Sequence, residues 1–281
     1  MTLEAFSQAV TGDDSRIDLA QACLLIAEDA YPSLDVAHYL AEIEGMAHRL
    51  RARLPSAFGA EERIVALNRF LFEDLGYRGN VDEYYDPRNS YLNEVIERRT
   101  GIPITLCILY MELGRRVGLP LEGVSFPGHF LVRLRLRGGV IVLDPFAGGV
   151  PQSEAELRER LKRVIPEGAT EVPVAELPLE QFLEPATKRQ ILGRVLRNLK
   201  GIYREADQPE RLLGVLNRML LLSPEAHAEL RDRGYVYHRL ECWRPALRDL
   251  TEYLERDPDA ADLDEVRARI LELSTLCARL N

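Results

Sequence analysis

Two stretches in the middle of the chain decide the fold: residues 101–118, GIPITLCILYMELGRRVG, and residues 129–145, HFLVRLRLRGGVIVLDP. Pro103 near the start of the first stretch and Gly118 past its end delimit one helix. Because its residues are apolar on almost every side, this helix is predicted to be buried. The second stretch has two strand-like runs on either side of Gly138-Gly139, which is typical of an antiparallel hairpin. A buried helix followed by such a hairpin indicates an α+β core.

Three residues in this region, Cys107, His129 and Asp144, are the candidate catalytic residues. Thiol catalysis needs a thiolate, a histidine that takes its proton, and a carboxylate that orients the imidazole. Cys107 also lies in an apolar stripe of the helix, so the alternative is a thiol that only packs in the core. For the other two residues, the alternatives are a structural histidine and an aspartate that opens a turn.

The position of the hairpin turn decides whether His129 and Asp144 can meet. His129 is predicted to open the first strand, and Asp144 closes the second. A turn at Arg137-Gly138 places the two residues diagonally on the same face. A turn at Gly138-Gly139 leaves them on that face but too far apart for a direct hydrogen bond. The sequence leaves this choice open.

The chain is predicted to divide into three parts. Residues 1–150 hold several N-terminal helices and the α+β core. Residues 151–187 contain five prolines and are predicted to form one short helix, over residues 153–164, followed by a linker. Residues 188–281 are predicted to be helical to the end.

The last part contains a repeat with a period of 34 residues. A shift of this length aligns Tyr203 with Tyr237, Leu216 with Leu250, and Pro224 with Pro258. A helix-turn-helix unit of this length that ends in proline is the tetratricopeptide pattern, and an unrelated pair of helical hairpins is the alternative. Such repeats usually present a concave surface to a protein or peptide, although two units could instead only support the core.

Composition and charge exclude several classes of protein. The chain has 45 acidic and 36 basic residues and a formal net charge of -9, so we expect no direct binding to nucleic acid. No apolar run approaches the roughly 20 residues that a membrane helix needs, and no membrane association is predicted. The four cysteines are far apart, so we expect no disulfide scaffold, metal site or other cofactor, and a cytoplasmic location. The oligomeric state stays open.

Several short sequence motifs, in this order along the chain, resemble those of one family. They are PRNSYLNEV at 87–95, RRTGIPI at 98–104, GLP at 118–120, FPGHFLVR at 126–133, LDPF at 143–146 and RDRG at 231–234. They resemble the transglutaminase-like superfamily and, more closely, the bacterial SirB family of invasion-regulator type. The resemblance implies a transglutaminase-like, papain-like core joined to tetratricopeptide repeats.

The resemblance also bears on the site. In active transglutaminase-like enzymes the nucleophilic cysteine begins the buried helix, at a fixed distance before a Gly-x-Pro. In this chain that position is Pro103, which cannot act as a nucleophile, and Cys107 lies one turn deeper. There the effect of the helix N-terminus fades and burial raises the pKa of a thiol. Asn93, Glu94 and Pro103 are predicted to line the cleft, with helix capping as the alternative for the first two.

The sequence therefore supports several interpretations. The first is a non-catalytic protein whose core is a scaffold and whose repeat binds a protein or peptide, with a regulatory role. The second is a cysteine-dependent acyl-transfer enzyme, an amidase, protease or transglutaminase, that uses Cys107, His129 and Asp144. A weaker third is a hydrolase in which His129 and Asp144 act on water. Pro103 at the expected thiol position favours the first interpretation.

Overall fold

The computed structural model describes residues 2–166, 169 and 172–279. The helices are α1 Thr2–Val10, α2 Leu19–Ala27, α3 Val36–Arg51, α4 Ala60–Asn68, α5 Leu92–Arg98, α6 Pro103–Arg116, α7 Glu154–Val164, α8 Lys188–Glu205, α9 Pro209–Leu222, α10 His227–Arg239, α11 Trp243–Arg256 and α12 Leu263–Arg279. The strands are β1 Arg78–Gly79, β2 Thr100–Gly101, β3 Glu122–Val124, β4 Leu131–Leu136, β5 Gly139–Asp144 and β6 Val150–Pro151. Parts of the predicted domains, residues 1, 167–168, 170–171 and 280–281, lie outside the described residues.

Helix α6 is the centre of the structure. Every residue from Pro103 to Gly114 is buried. Proline is favourable at the first turn, where its missing N–H costs no hydrogen bond, and Gly118 after the helix has a φ of +79° that favours glycine. Helices α2, α3 and α5 and the first repeat helix share the apolar cluster that encloses α6. The predicted buried helix is therefore present.

The sheet is antiparallel, with strand order β3-β4-β5-β6. Alternate residues of β4 and β5 point to opposite faces, as the two-residue period of a strand requires. Val132 and Leu143 belong to the apolar cluster around α6. Leu131 and Val142 belong to a second apolar cluster on the other face. This core and the all-α region that follows it confirm the predicted α+β fold class.

The second face of the sheet packs against α7 and against described residues from 174 to 183, and the sequence assigned the latter to a linker. Leu157 and Leu161 of α7 and Leu179 are buried in the second cluster. Arg133 of β4 is 5% exposed, and its guanidinium donates to Glu122 and to the Leu183 carbonyl. The predicted short helix is present as α7, but this segment packs on the sheet and does not behave as a free connection.

The 34-residue period corresponds to two helix pairs. Helices α9 and α11 begin at Pro209 and Trp243 and end at Leu222 and Arg256, so both ends are offset by one period. The first pair packs on the core: α8 buries its apolar side in the cluster around α6. The second pair and α12 form a separate apolar cluster. At the closest approach of α10 and α11, a Cβ added to Gly234 would lie 2.7 Å from Leu250.

Two glycines inside repeat helices provide a test of this packing. Gly234→Ala is expected to destabilise the protein by about 1–2 kcal/mol, because overpacking against buried Leu250 outweighs the helix preference of alanine. The control is Gly201→Ala, where an added Cβ meets nothing within 4 Å, and which should stabilise by about 0.5–1 kcal/mol. Urea unfolding followed by circular dichroism measures both. Equal effects at the two positions would contradict the close approach.

Candidate functional site

His129 lies in a turn at one end of the sheet. Its backbone N–H donates to the Phe126 carbonyl at 3.1 Å, and Gly128 before it has a φ of +69°. The sequence predicted that His129 opens a strand, but β4 begins two residues later, at Leu131. The Pro127-Gly128 pair explains the difference, because proline lacks a ladder N–H and glycine takes the left-handed conformation of the turn.

The register of the hairpin brings Asp144 to the same end. Leu136 pairs with Gly139, so the turn is Arg137-Gly138, the first of the two alternatives. His129 Nε2 lies 3.0 Å from both carboxylate oxygens of Asp144. The histidine and the carboxylate thus form a direct hydrogen-bonded pair.

Asp144 has two further partners. The Phe146 backbone N–H donates to Oδ1 at 3.1 Å, and Arg160 of α7 donates to Oδ2 at 2.7 Å. The carboxylate is 1% exposed, and burial alone would raise its pKa. The His129 hydrogen bond and the charges of His129 and Arg160 outweigh burial, so the pKa of Asp144 lies below its usual range. Asp144 is therefore held as a carboxylate.

Arg160 is a site residue that sequence analysis did not identify. The amphipathic pattern of α7 predicts only that its charged residues face solvent. The side chain of Arg160 is 29% exposed and turns its guanidinium onto the buried carboxylate. The sequence indicated only that some cationic partner is needed, because a carboxylate buried at the end of a covered strand needs a cation beside it.

The ring of His129 is bounded by aromatic side chains. Its centroid lies 6.0 Å from that of Phe146, edge to face, and Phe146 in turn lies 6.3 Å from Tyr84. The side chain of His129 is 13% exposed, and its Nδ1 has no hydrogen-bond partner among the described residues. That nitrogen is the one left for a reacting or bound group.

The thiol of Cys107 is buried and hydrogen-bonded to the backbone. Cys107 is 0% exposed, and its Sγ donates to the Phe130 carbonyl at 3.5 Å. Burial, and to a lesser extent the charge of Asp144, raise the pKa of the thiol well above its usual range. Among the described residues, no hydrogen bond joins Sγ to His129. The structure thus brings His129 and Asp144 together and leaves Cys107 a neutral, buried thiol.

Comparison with known proteins identifies the family. A family model described as the transglutaminase-like superfamily matches residues 37–197, which is more than half of the chain. The chain belongs to the transglutaminase-like superfamily. A second family model, described as a tetratricopeptide repeat, matches residues 199–270.

Similar proteins occur in several bacteria. The chain is 44% identical over 274 residues to a "UPF0162 protein" of Xylella fastidiosa (strain 9a5c), covering 98% of this chain and 96% of that protein. It is 30% identical to "UPF0162 protein YchA" of Escherichia coli (strain K12), covering 89% and 88%. It is 28% identical to "Protein SirB1" of Salmonella typhimurium, covering 82% of each. The resemblance to the SirB family is confirmed.

In this transglutaminase-like core, Pro103 occupies the first turn of α6. The Ile102 N–H beside it donates to the Thr105 hydroxyl at 3.2 Å, and that hydroxyl donates to the Asn89 carbonyl at 2.7 Å. All of these residues are buried. The position that the resemblance assigns to a nucleophile is therefore filled by a ring and closed by a hydrogen-bonded cap.

The structure places Asn93 and Glu94 on α5. Asn93 is 2% exposed, and its Oδ1 has no hydrogen-bond partner among the described residues. Burial and the interaction with Glu94 raise the pKa of Tyr31. Burial also raises the pKa of Tyr39, and the interaction with Asn93 opposes that rise. Both residues thus interact with tyrosines of the N-terminal region, and their place in the cleft stays a prediction.

Among the described residues, no group of three histidine, cysteine, aspartate or glutamate side chains could hold a metal ion. No helix in the same part of the chain is long and apolar enough to span a membrane.

Asp144→Asn is expected to lower the free energy of unfolding at neutral pH by about 1.5–3 kcal/mol, the usual value of a hydrogen bond to a charged group. Because the pKa of Asp144 is lower in the folded protein, its contribution is present above the unfolded value of about 3.9 and disappears as pH falls through the folded value. As the pH is lowered from about 5 to about 2, the free energy of unfolding should therefore decrease less in the variant than in the parent protein.

Urea unfolding across this pH range measures the effect. Glu154→Gln, which breaks an exposed i,i+4 pair with Arg158 in α7, is the control and should change stability by less than about 0.5 kcal/mol. Parallel pH profiles for Asp144→Asn and the parent protein would show that Asp144 is not held as a stabilising carboxylate.

Proposed function

We propose that this protein is a non-catalytic member of the transglutaminase-like superfamily that acts by binding a protein or peptide through its helical repeat, in a regulatory role. The observation that carries the proposal is the thiol of Cys107, which is buried and bonded to the Phe130 carbonyl while Pro103 fills the start of α6. A nucleophilic cysteine needs access to substrate and a stabilised thiolate, and Cys107 has neither.

The His129–Asp144 pair supports the same proposal in another way. Each partner of the buried carboxylate comes from a different segment: His129 precedes β4, Phe146 follows β5, and Arg160 belongs to α7. Removing one partner of a buried charge is costly even where no reaction takes place. The contacts of the pair therefore give it a structural role that requires no reaction.

The repeat provides the binding surface in this proposal. Helix α8 buries its apolar side in the core and leaves its other side free for a partner. The net charge of -9 argues against direct binding to nucleic acid, so the expected partner is a protein or peptide. The four cysteines are free thiols, which supports a cytoplasmic location.

The alternative is a cysteine-dependent acyl-transfer enzyme that uses Cys107, His129 and Asp144. The observation that favours it is the oriented imidazole of His129, whose Nδ1 has no partner among the described residues. This enzyme would need the buried thiol of Cys107 to become accessible to substrate and to pair with that nitrogen. The two functions differ in the reactivity that they require of Cys107.

Thiol alkylation separates the two functions. With N-ethylmaleimide at pH 7, Cys107 in the folded protein should react at least about 100-fold more slowly than Cys242, because each unit of raised pKa lowers the thiolate fraction about tenfold and burial adds a barrier. Peptide mass spectrometry reads each position. Exposed Cys242 and buried Cys23 are the fast and slow controls within the same chain.

Labelling of Cys107 as fast as that of Cys242 in the native protein, with full retention of the circular dichroism spectrum, would contradict the non-catalytic proposal. In denaturant all of these positions should react alike, which shows that the difference belongs to the fold.

A further inference from the structure

The side of α8 that faces away from the core carries a row of arginines. Arg194, Arg197 and Arg204 recur at intervals of three and seven residues, so the 3.6-residue period of an α-helix places them along one face. Gly201 lies between Arg197 and Arg204, and an added Cβ there would meet nothing within 4 Å. This glycine leaves room for a chain to approach the helix backbone.

These arginines have no ion-pair partner among the described residues. Their neighbour Lys200, in contrast, pairs with Asp232 at 2.6 Å and Glu229 at 3.6 Å. Partial burial and the charge of Arg194 lower the pKa of Arg197, and Glu229 only partly offsets them. In a chain of net charge -9, this row is a local excess of positive charge that an anion would neutralise.

The row continues toward His129. Helix α8 packs against the 3-10 turn Pro87–Ser90, and Asn89 of that turn donates to the Tyr84 carbonyl at 3.3 Å. In agreement, burial raises the pKa of Tyr84 and the charge of Arg194 opposes that rise. Tyr84 contacts the ring of Phe146, and Phe146 contacts the ring of His129. Beside Arg197, a cavity of about 380 Å³ is lined in part by Met219 and Leu222. Cationic, aromatic and apolar features thus follow one another from the repeat to the sheet.

We propose that this track, formed by Arg204, Arg197, Arg194, Tyr84 and His129, binds an extended acidic peptide segment of a partner protein. The proposal rests on the function proposed above and specifies the class of partner. The carboxylates of the peptide neutralise the arginines, and one of its apolar side chains enters the cavity beside Arg197. One end of the peptide reaches the aromatic rings next to His129.

The dimensions give the length of the segment. Arg194 and Arg204 are ten residues apart in α8, a rise of about 15 Å that four to five extended peptide residues cover. The ring centroids from Tyr84 to Phe146 and on to His129 are 6.3 and 6.0 Å apart, which roughly four more extended residues cover. The segment therefore has at least about eight residues before the step from Arg194 to Tyr84 is added. Nucleic acid is disfavoured because its affinity depends on many phosphate contacts, and three free arginines on an acidic protein supply few.

Fluorescence anisotropy of the full chain with a labelled twelve-residue peptide of alternating Asp, Glu and Leu tests the proposal. The same peptide with Asn and Gln in place of the acids is the first comparison, and a twelve-nucleotide oligo(dT) is the second. We expect the acidic peptide to bind at least about tenfold more tightly than either, a difference of about 1.4 kcal/mol.

The arginine variants locate the binding site. Arg194→Gln with Arg197→Gln should raise the Kd for the acidic peptide at least tenfold. Arg135→Gln with Arg137→Gln, which removes two exposed arginines of the hairpin and the same total charge, should leave the Kd within twofold. Circular dichroism checks that both variants fold. An equal loss in the two double variants, or tighter binding of oligo(dT), would overturn the proposal.

The far end of the track has its own measurement. The chain has five histidines, so their ring NMR signals can be assigned by single substitutions. Addition of the acidic peptide should shift the His129 signal and leave that of His48 unchanged; an unchanged His129 signal at saturation would overturn this end of the track.

If the neutral peptide binds as well as the acidic one, the acidic class of partner is wrong and peptide binding by the repeat stands. Fast alkylation of Cys107 would contradict the proposed function whatever peptide binds.

Discussion

The burial of α6 on all sides is the constraint on which the rest of the structure depends. A helix with no solvent-exposed side from Pro103 to Gly114 must be enclosed by several elements at once. The N-terminal helices, the sheet and the first helix of the repeat supply that enclosure. The same burial determines the chemistry of Cys107, because a thiol surrounded by apolar side chains stays protonated. The feature that stabilises the fold thus also keeps the Cys107 thiol in its neutral form.

The His129–Asp144 pair connects several segments of the chain. Asp144 is nearly inaccessible to water, and three segments of the chain donate hydrogen bonds to it. Arg160 ties the helix on the outer face of the sheet to the end of β5. Such a carboxylate connects the segments that donate to it. Its negative charge requires these donors whether or not the protein catalyses a reaction.

Much of the fold could be predicted from the sequence because its signals are local. The apolar run of α6, the glycine turn of the hairpin and the 34-residue period each need only neighbouring residues to be recognised. The site was harder to predict. His129 and Asp144 follow from the hairpin once its register is known, but the sequence allowed two registers. Arg160 could not be found, since the pattern of α7 does not tell which solvent-side cation bends back onto a buried carboxylate.

The same limit applies to two further segments. The segment from 157 to 183 is rich in proline and polar residues, which predicts a linker, yet several of its leucines pack on one face of the sheet. Asn93 and Glu94 precede α6 in sequence, which suggested a shared cleft, and they interact with Tyr39 and Tyr31. Adjacency along the chain does not determine where a side chain on a short helix points, because successive positions rotate by about 100°.

The double role of α8 has a consequence for the modularity of the chain. This helix is the first element of the repeat, and its apolar side is also a wall of the core. The two regions are therefore not independent folding units, because a cut before α8 would expose a large apolar surface on both pieces. A partner that binds the outer side of α8 would also restrict the motion of its inner side. Binding to the repeat would thus make the transglutaminase-like core more rigid.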